Sequence, residues 1–253
     1  MILPYINYWL LKLDQYSLQS PQVFQTYTNL KNFLKEQHPY EAELEAIRQQ
    51  LLQDNELLII EDFGAGSKKL KKNTRKTSDV TKYSTSQRKF NKLYQFFCLE
   101  TPARHVLELG TCTGLNAHYL SKVSTGDVHS LEGSEALWKK AKDYHKAENL
   151  QFHLGDIKTS LPKILKELTS IDFALLDATH TEDATLRYFD SIAPCLHTQS
   201  IVAVADIHWS KGMENAWEAL KKHPKTSLSF DFFECGILYF DPKLPKESYI
   251  LDI

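Results

Sequence analysis

The sequence predicts an α/β fold: a doubly wound, mostly parallel sheet with helices on both faces and a helical N-terminal extension. Three observations carry this. From Phe90 onward, apolar runs of strand length alternate with amphipathic, helix-like segments. That is the pattern of βαβ units, whose strands are buried on both faces and so read as continuous apolar stretches. Near the end, the strand-like runs Ser227–Phe233 and Gly236–Phe240 are separated by only Glu234 and Cys235. So short a join forces an antiparallel hairpin, which puts one antiparallel strand near the edge of the sheet. Residues 1–60 instead show helical periodicity, punctuated by Pro21 and Pro39.

Taken in order, Met1 to Leu13 is apolar and aromatic, without a basic leader or a small-residue cleavage site, so it does not read as a signal peptide. Lys12 and Asp14 end the run well short of the roughly 20 residues that span a bilayer, and packing on the main domain or a second subunit is expected rather than an interfacial anchor. Tyr40 to Leu52 places Leu44, Ile47, Leu51 and Leu52 at helical spacing. Residues 61–92 change character. Glu61 to Ser67 holds a glycine-containing turn, and ten Lys or Arg then fall between Lys68 and Lys92 against one acid, Asp79. A solvated basic helix or loop and a mobile lid or anion-binding segment are both compatible with this. The helix Phe90–Leu99 leads into strands at His105–Leu109, Asp127–Leu131, Leu150–Leu154, Ile171–Leu176 and Ser200–Ala205. Helices are expected between them at Leu115–Val123, Ser134–Ala147, Leu161–Leu168 and Glu182–Leu196, with another at Met213–Lys222.

The bulk composition narrows the function classes. The chain has 253 residues, 42% hydrophobic and 25% charged, enough for one large domain with a small appendage. A net charge of -2 gives no global pull toward nucleic acid or anionic membrane. Cys98, Cys112, Cys195 and Cys235 form no C-x-x-C pair. They fit free thiols in a reducing cytosol, so a cytoplasmic location is expected.

In open α/β sheets, ligands bind beyond the carboxyl ends of the strands. The first such end reads Glu108-Leu-Gly110-Thr111-Cys112-Thr-Gly114. A dinucleotide fingerprint starting at Gly110 would need glycines where Cys112 and Leu115 stand, so a nicotinamide cofactor is the weakest option. An acid followed by a tight glycine turn instead suits the close approach of a ligand to the backbone, with the Glu108 carboxylate as a receiver for an ammonium group. Glu132 ends the second strand, before Gly133, where a carboxylate can accept from both ribose hydroxyls. Gly155, Asp156 and Ile157 follow the third, Asp177 the fourth and Asp206 the fifth.

These motifs, with Leu176-Asp177-Ala-Thr-His180 and Ala205-Asp206-Ile-His208-Trp209, resemble the class I S-adenosylmethionine (SAM)-dependent methyltransferases. Within them the nearest likeness is to O-methyltransferases of the catechol and caffeoyl-CoA type, from about residue 60 to the end. The resemblance implies a Rossmann-like seven-stranded sheet in the order 3-2-1-4-5-7-6. It implies SAM as cofactor, bound by Glu108, Gly110, Thr111, Cys112, Gly114, Glu132, Gly133, Asp156, Ile157 and Asp177. In the catechol-type enzymes, the positions of Asp177 and Asp206 bind a divalent metal, with an Asn after the second Asp. Here Ile207 stands there, so no metal ligand is assigned and a metal stays doubtful. His180, His208, Asp177 and Asp206 are the catalytic candidates, either histidine being suited to remove a proton near neutral pH. The expected function is methyl transfer to a small-molecule acceptor, most naturally an oxygen, with an anionic acceptor left open by the basic stretch. RNA methylation and a non-catalytic SAM-binding or dimerising scaffold are the alternatives. Homodimerisation is admitted on base rates alone.

Overall fold

The structure is a computed structural model that describes residues 2–61 and 73–253. The turn Glu61–Ser67 and the first lysines of the basic run therefore fall mostly outside the described residues.

The chain begins with three helices, α1 (Ile2–Leu11), α2 (Pro21–Lys35) and α3 (Glu41–Gln53). Ser20 caps α2 by accepting from the Val23 amide, and Pro21 occupies its first turn, where a missing N–H costs nothing. Val23, Tyr27 and Leu30 fall on one buried face. A short antiparallel ribbon follows, β1 (Leu57–Ile59) with β2 (Thr74–Lys76), and then helices α4 (Thr77–Ser84) and α5 (Arg88–Leu99). The described part of the basic stretch is thus a strand and two helices.

The alternation then runs as the apolar pattern requires: β3 (His105–Leu109), α6 (Leu115–Ser121), β4 (Asp127–Glu132), α7 (Glu135–Tyr144), β5 (Leu150–Leu154), α8 (Ile157–Glu167), β6 (Ile171–Leu176), α9 (Glu182–Ile192), β7 (Leu196–Ala205) and α10 (Lys211–Lys222). Strands β8 (Leu228–Asp231) and β9 (Cys235–Tyr239) make the antiparallel hairpin, and β10 (Glu247–Ile250) follows. The sheet order is β10-β8-β9-β7-β6-β3-β4-β5. Counted from β3, its first seven strands run 3-2-1-4-5-7-6, as the resemblance implies. The expectation of seven strands needs one correction: β10 adds an eighth, parallel to β8. It carries no apolar run, because it lies at an edge and is half exposed, so the sequence offers little sign of it.

Every residue of β6 is buried, as befits a central parallel strand. The sheet separates two apolar layers. One holds Phe97, Phe230 and Leu30 with α2 and α5, and the other holds Phe189, Trp217 and Ile164 with α8, α9 and α10. In the N-terminal extension α2 packs against α5, whereas α1 leaves Ile6, Trp9, Leu10 and Leu11 exposed, and the extension ties to the C-terminal tail. Leu13 pairs with Leu251, the Tyr8 hydroxyl donates to the Leu251 carbonyl at 2.7 Å, and the Tyr27 hydroxyl donates to that of Asp252 at 2.5 Å. The ribbon β1–β2 is held over α7 by Lys140, which reaches Asp54 at 2.9 Å and Glu56 at 2.6 Å. This brings β2 and α4 against the carboxyl ends of the central strands.

Candidate active site

The order in which strands are added to the sheet reverses between β3 and β6, where β3 pairs with β4 on one side and β6 on the other. A cleft of about 530 Å³ opens at the carboxyl ends of these strands, the position where a doubly wound sheet binds its ligand. Gly110 and Cys112 after β3, Glu132 and Gly133 after β4, Asp156 and Ile157 after β5, Asp177 and His180 after β6, and Asp206 and His208 after β7 all line it.

The loop after β3 needs its small residues for backbone reasons. Gly110 has φ +101°, and a Cβ there would lie 2.2 Å from the Asp177 carbonyl oxygen. Cys112 is also left-handed, at φ +51°, so the one departure from an all-glycine pattern sits where glycine would be unstrained. Among the described residues, six non-glycine positions have left-handed φ, and Cys112, Thr179, His180, Asp206 and Phe233 all line the cleft. Strain of this kind gathers at functional sites, where the surrounding structure holds it in place.

Three of the cofactor candidates, Glu108, Thr111 and Gly114, are not among the residues that line the cleft. Glu108 is fully buried in β3 and accepts from the Ser130 hydroxyl on β4, while its other carboxylate oxygen has no partner. Burial pushes its carboxyl well above the usual range. Thr111 is also buried and shares a 2.5 Å hydrogen bond with Ser130. Neither is among the residues that line the cleft, so Glu108 stands beneath the loop rather than against a ligand's ammonium. Glu132 is placed differently. It lines the cleft and accepts from the Cys112 amide at 2.8 Å and the Ser134 amide at 2.9 Å, which fixes its carboxylate at the end of β4. Asp156 caps α8 through the Lys158 amide.

The catalytic candidates also separate. His180 Nε2 lies 3.8 Å from an Asp177 oxygen and 3.7 Å from an Asp206 oxygen. Asp177 accepts from the Asn116 amide at 3.1 Å, and burial together with Asp206 raises its carboxyl well above the usual range. His208 is enclosed. Its Nε2 is 2.9 Å from Asp231, its Nδ1 is shut from solvent 3.8 Å from Glu214, and its ring stacks on Phe233. Asp231 also accepts from the Trp217 indole at 3.2 Å. Both nitrogens of His208 therefore face acids, whereas His180 presents its Nε2 between the two carboxylates at the floor of the cleft.

Donor atoms of Asp177, His180 and Asp206 all lie within 4.8 Å of one another. Two carboxylates and an imidazole suit a divalent cation tolerant of nitrogen. Ile207, at the position of the Asn in the catechol-type pattern, is buried in the apolar layer under the sheet. Sequence reasoning missed Asn116 and Asp231. The first is a polar residue in the opening turn of an apolar helix, the second an acid inside an apolar run, and those are the signals each offered. Arg75, Lys82, Trp209, Tyr188 and Phe233 complete the walls.

Residues 107–207 match the family model described as a methyltransferase domain. Similar solved structures include an O-methyltransferase from Bacillus cereus in complex with S-adenosylhomocysteine (SAH). It has 14% identity and a TM-score of 0.58, over 85% of this chain and 97% of that one. The Streptomyces achromogenes O-methyltransferase TomG, involved in tomaymycin synthesis and solved with SAM, has 14% identity and a TM-score of 0.54, over 85% and 96%. The SAH-bound methyltransferase PaMTH1 of Podospora anserina has 14% identity and a TM-score of 0.53, over 62% and 80%. At such identities the likeness establishes the fold. No curated protein matches the chain.

Proposed function

We propose that this chain, which carries a methyltransferase domain on an O-methyltransferase-like fold, binds SAM in the cleft and transfers its methyl group to a hydroxyl of a small-molecule acceptor. One observation carries the proposal: the ends of five consecutive parallel strands deliver Gly110, Glu132, Asp156, Asp177 and Asp206 to a single cleft. Glu132 would accept from the ribose hydroxyls, the Gly110–Gly114 turn would admit the methionine part, and Asp156 and Ile157 would flank the adenine. Support for SAM also comes from neighbours solved with SAM or SAH.

The reaction is an in-line displacement. The acceptor oxygen forms a bond to the methyl carbon, the carbon–sulfur bond breaks, SAH leaves, and the hydroxyl proton passes to a base. His180 is the base this geometry favours, because its Nε2 faces the cleft between the Asp177 and Asp206 side chains. His208 would serve instead as a wall braced by Asp231. Aligning the acceptor against the sulfonium supplies the rest of the rate, with Trp209, Tyr188 and Phe233 as the surfaces that orient it. Lys82 and Arg75 would accommodate an anionic group on the acceptor.

As the alternative to His180 acting as base, a divalent cation fits the donor set Asp177, His180 and Asp206; bound there it would occupy the imidazole nitrogen and acidify an acceptor hydroxyl itself. Formation of SAH on a panel of phenols, with and without magnesium or manganese, tests the proposal. Turnover on at least one hydroxyl acceptor is expected. SAM binding without turnover on any acceptor would favour the scaffold alternative.

A further inference from the structure

The loop Gly110–Gly114 has three left-handed residues in five, with φ +101° at Gly110, +51° at Cys112 and +85° at Gly114. Such a backbone needs restraint. On the β4 side it is pinned by the Leu131 carbonyl, which accepts from the Gly110 and Thr111 amides at 3.0 and 3.2 Å, and by Glu132, which accepts from the Cys112 amide. On the other side, besides the packing of Cys112 against the apolar cluster that holds Leu137 of α7, a chain of two histidines reaches it by hydrogen bonds. His145, which ends α7, places Nε2 2.8 Å from the Thr113 carbonyl, and its Nδ1 is 2.9 Å from His118 Nδ1 on α6. Both rings are almost wholly buried.

The proton positions follow from the partners. A carbonyl only accepts, so His145 Nε2 carries a hydrogen. Neutral His145 then has a bare Nδ1, so His118 Nδ1 must donate to it. His118 Nε2 is left as the chain's open end, without a hydrogen-bond partner and 3.7 Å from the Glu43 carboxylate on α3. The groups facing the two rings are Glu43 from the extension, Lys122 from α6 and Thr113 from the loop. A proton reaching His118 Nε2 would be met by Glu43 and would leave the donation to His145 intact. One on His145 Nδ1 would set two N–H groups against each other. Charging the inner ring would therefore break the chain's hydrogen bonds, whereas charging the outer ring would leave them in place.

The His145 ring also explains Gly114. A Cβ at that position would lie 2.6 Å from His145 Cδ2. The glycine that the sequence suggests for cofactor approach is here also required by the ring that props the loop.

We propose that His145, set in one tautomer by His118, is the positioning residue of the SAM loop, and that the chain Glu43–His118–His145–Thr113 makes the N-terminal extension part of the cofactor site. This rests on the cleft being the SAM site. Two variants divide packing from hydrogen bonding. His145→Phe keeps a ring against Gly114 and loses both hydrogen bonds, whereas His145→Gln keeps a donor for the Thr113 carbonyl. His118→Phe leaves His145 in place and removes the group that fixes its tautomer, which supplies an independent arm should His145→Phe fail to fold.

Two readouts are needed: calorimetric titration with SAM, and amide hydrogen exchange of residues 110–116 in the unliganded protein. His145→Phe is expected to weaken SAM binding about tenfold, as for one buried hydrogen bond, and to speed exchange in the loop by a similar factor. His145→Gln should stay within about threefold of the parent in both, and His118→Phe should fall between. Loop exchange and SAM affinity unchanged in His145→Phe and His118→Phe would overturn the proposal. If the parent protein bound no SAM while loop exchange still rose in the variants, the anchoring would stand and the cofactor assignment would fail.

Discussion

Replacing His118 and His145 together by Gln should flatten the acid sensitivity of folding. Burial, first of all, pushes His118 down to about 4 and His145 down to about 3 from an ordinary 6.5. A group whose folded pKa is depressed binds fewer protons folded than unfolded. Its contribution is therefore complete above about pH 6.5 and is lost as pH falls toward the folded value. At about pH 5 both rings are still neutral in the folded chain and charged in the unfolded one. Each then withdraws about 1.5 units times 1.36 kcal/mol, or about 2 kcal/mol, and the pair about 4 kcal/mol. Buried carboxyls oppose this. Glu108 and Asp177 have raised values, so the cost of their ionised forms is relieved on acidification. The comparison with the double variant cancels that background. Urea unfolding of both proteins from about pH 7.5 to about pH 5 reads the difference. The parent should lose roughly 4 kcal/mol more than the double variant over that range. Parallel pH dependences would refute the reasoning.

His180→Gln is expected to lower turnover by about a hundredfold or more with SAM affinity little changed, as for a lost general base. His208→Gln should cost less than about tenfold in rate and show chiefly as lower stability, because it disturbs one of the hydrogen bonds that the buried Asp231 carboxylate accepts; comparing kcat and Tm for the two variants checks both. Asp177→Asn should hold or raise the melting temperature near neutral pH, since it removes a carboxylate whose charge is costly where it is buried. The same change should cut turnover by about a hundredfold, and thermal melts beside SAH release would show whether stability and activity part in this way.

Much of the fold was legible because its physics is local. Strands β3, β4, β6 and β7 lie between two helical layers, so their residues read as apolar runs, and the alternation with helices follows directly. The hairpin β8–β9 was legible from the shortness of its join. Strand β10 was not, because an edge strand that is half exposed needs no apolar run. The ribbon β1–β2 was hidden for another reason: its strands have three residues each, only β2 lies on the basic stretch, and the ribbon is held by Lys140 from a distant helix.

At the site, residue types at strand ends were legible and their orientations were not. Glu108 and Glu132 are both acids of the expected pattern, yet the pleat and its neighbour Ser130 turn the first into the interior while two backbone amides aim the second at the cleft. Nor could the sequence separate His180 from His208. That distinction depends on Asp231, which is 23 residues away along the chain. Asn116 and His145 act through contacts of the same long-range kind.

The most direct test of the central claim is a calorimetric titration with SAM, and with NAD as the control, of the parent protein and of Glu132→Ala. SAM binding without NAD binding is predicted, with Glu132→Ala weakening SAM by roughly ten- to a hundredfold through loss of the ribose hydrogen bonds. Absence of SAM binding by the parent, or SAM binding indifferent to Glu132→Ala, would contradict the account.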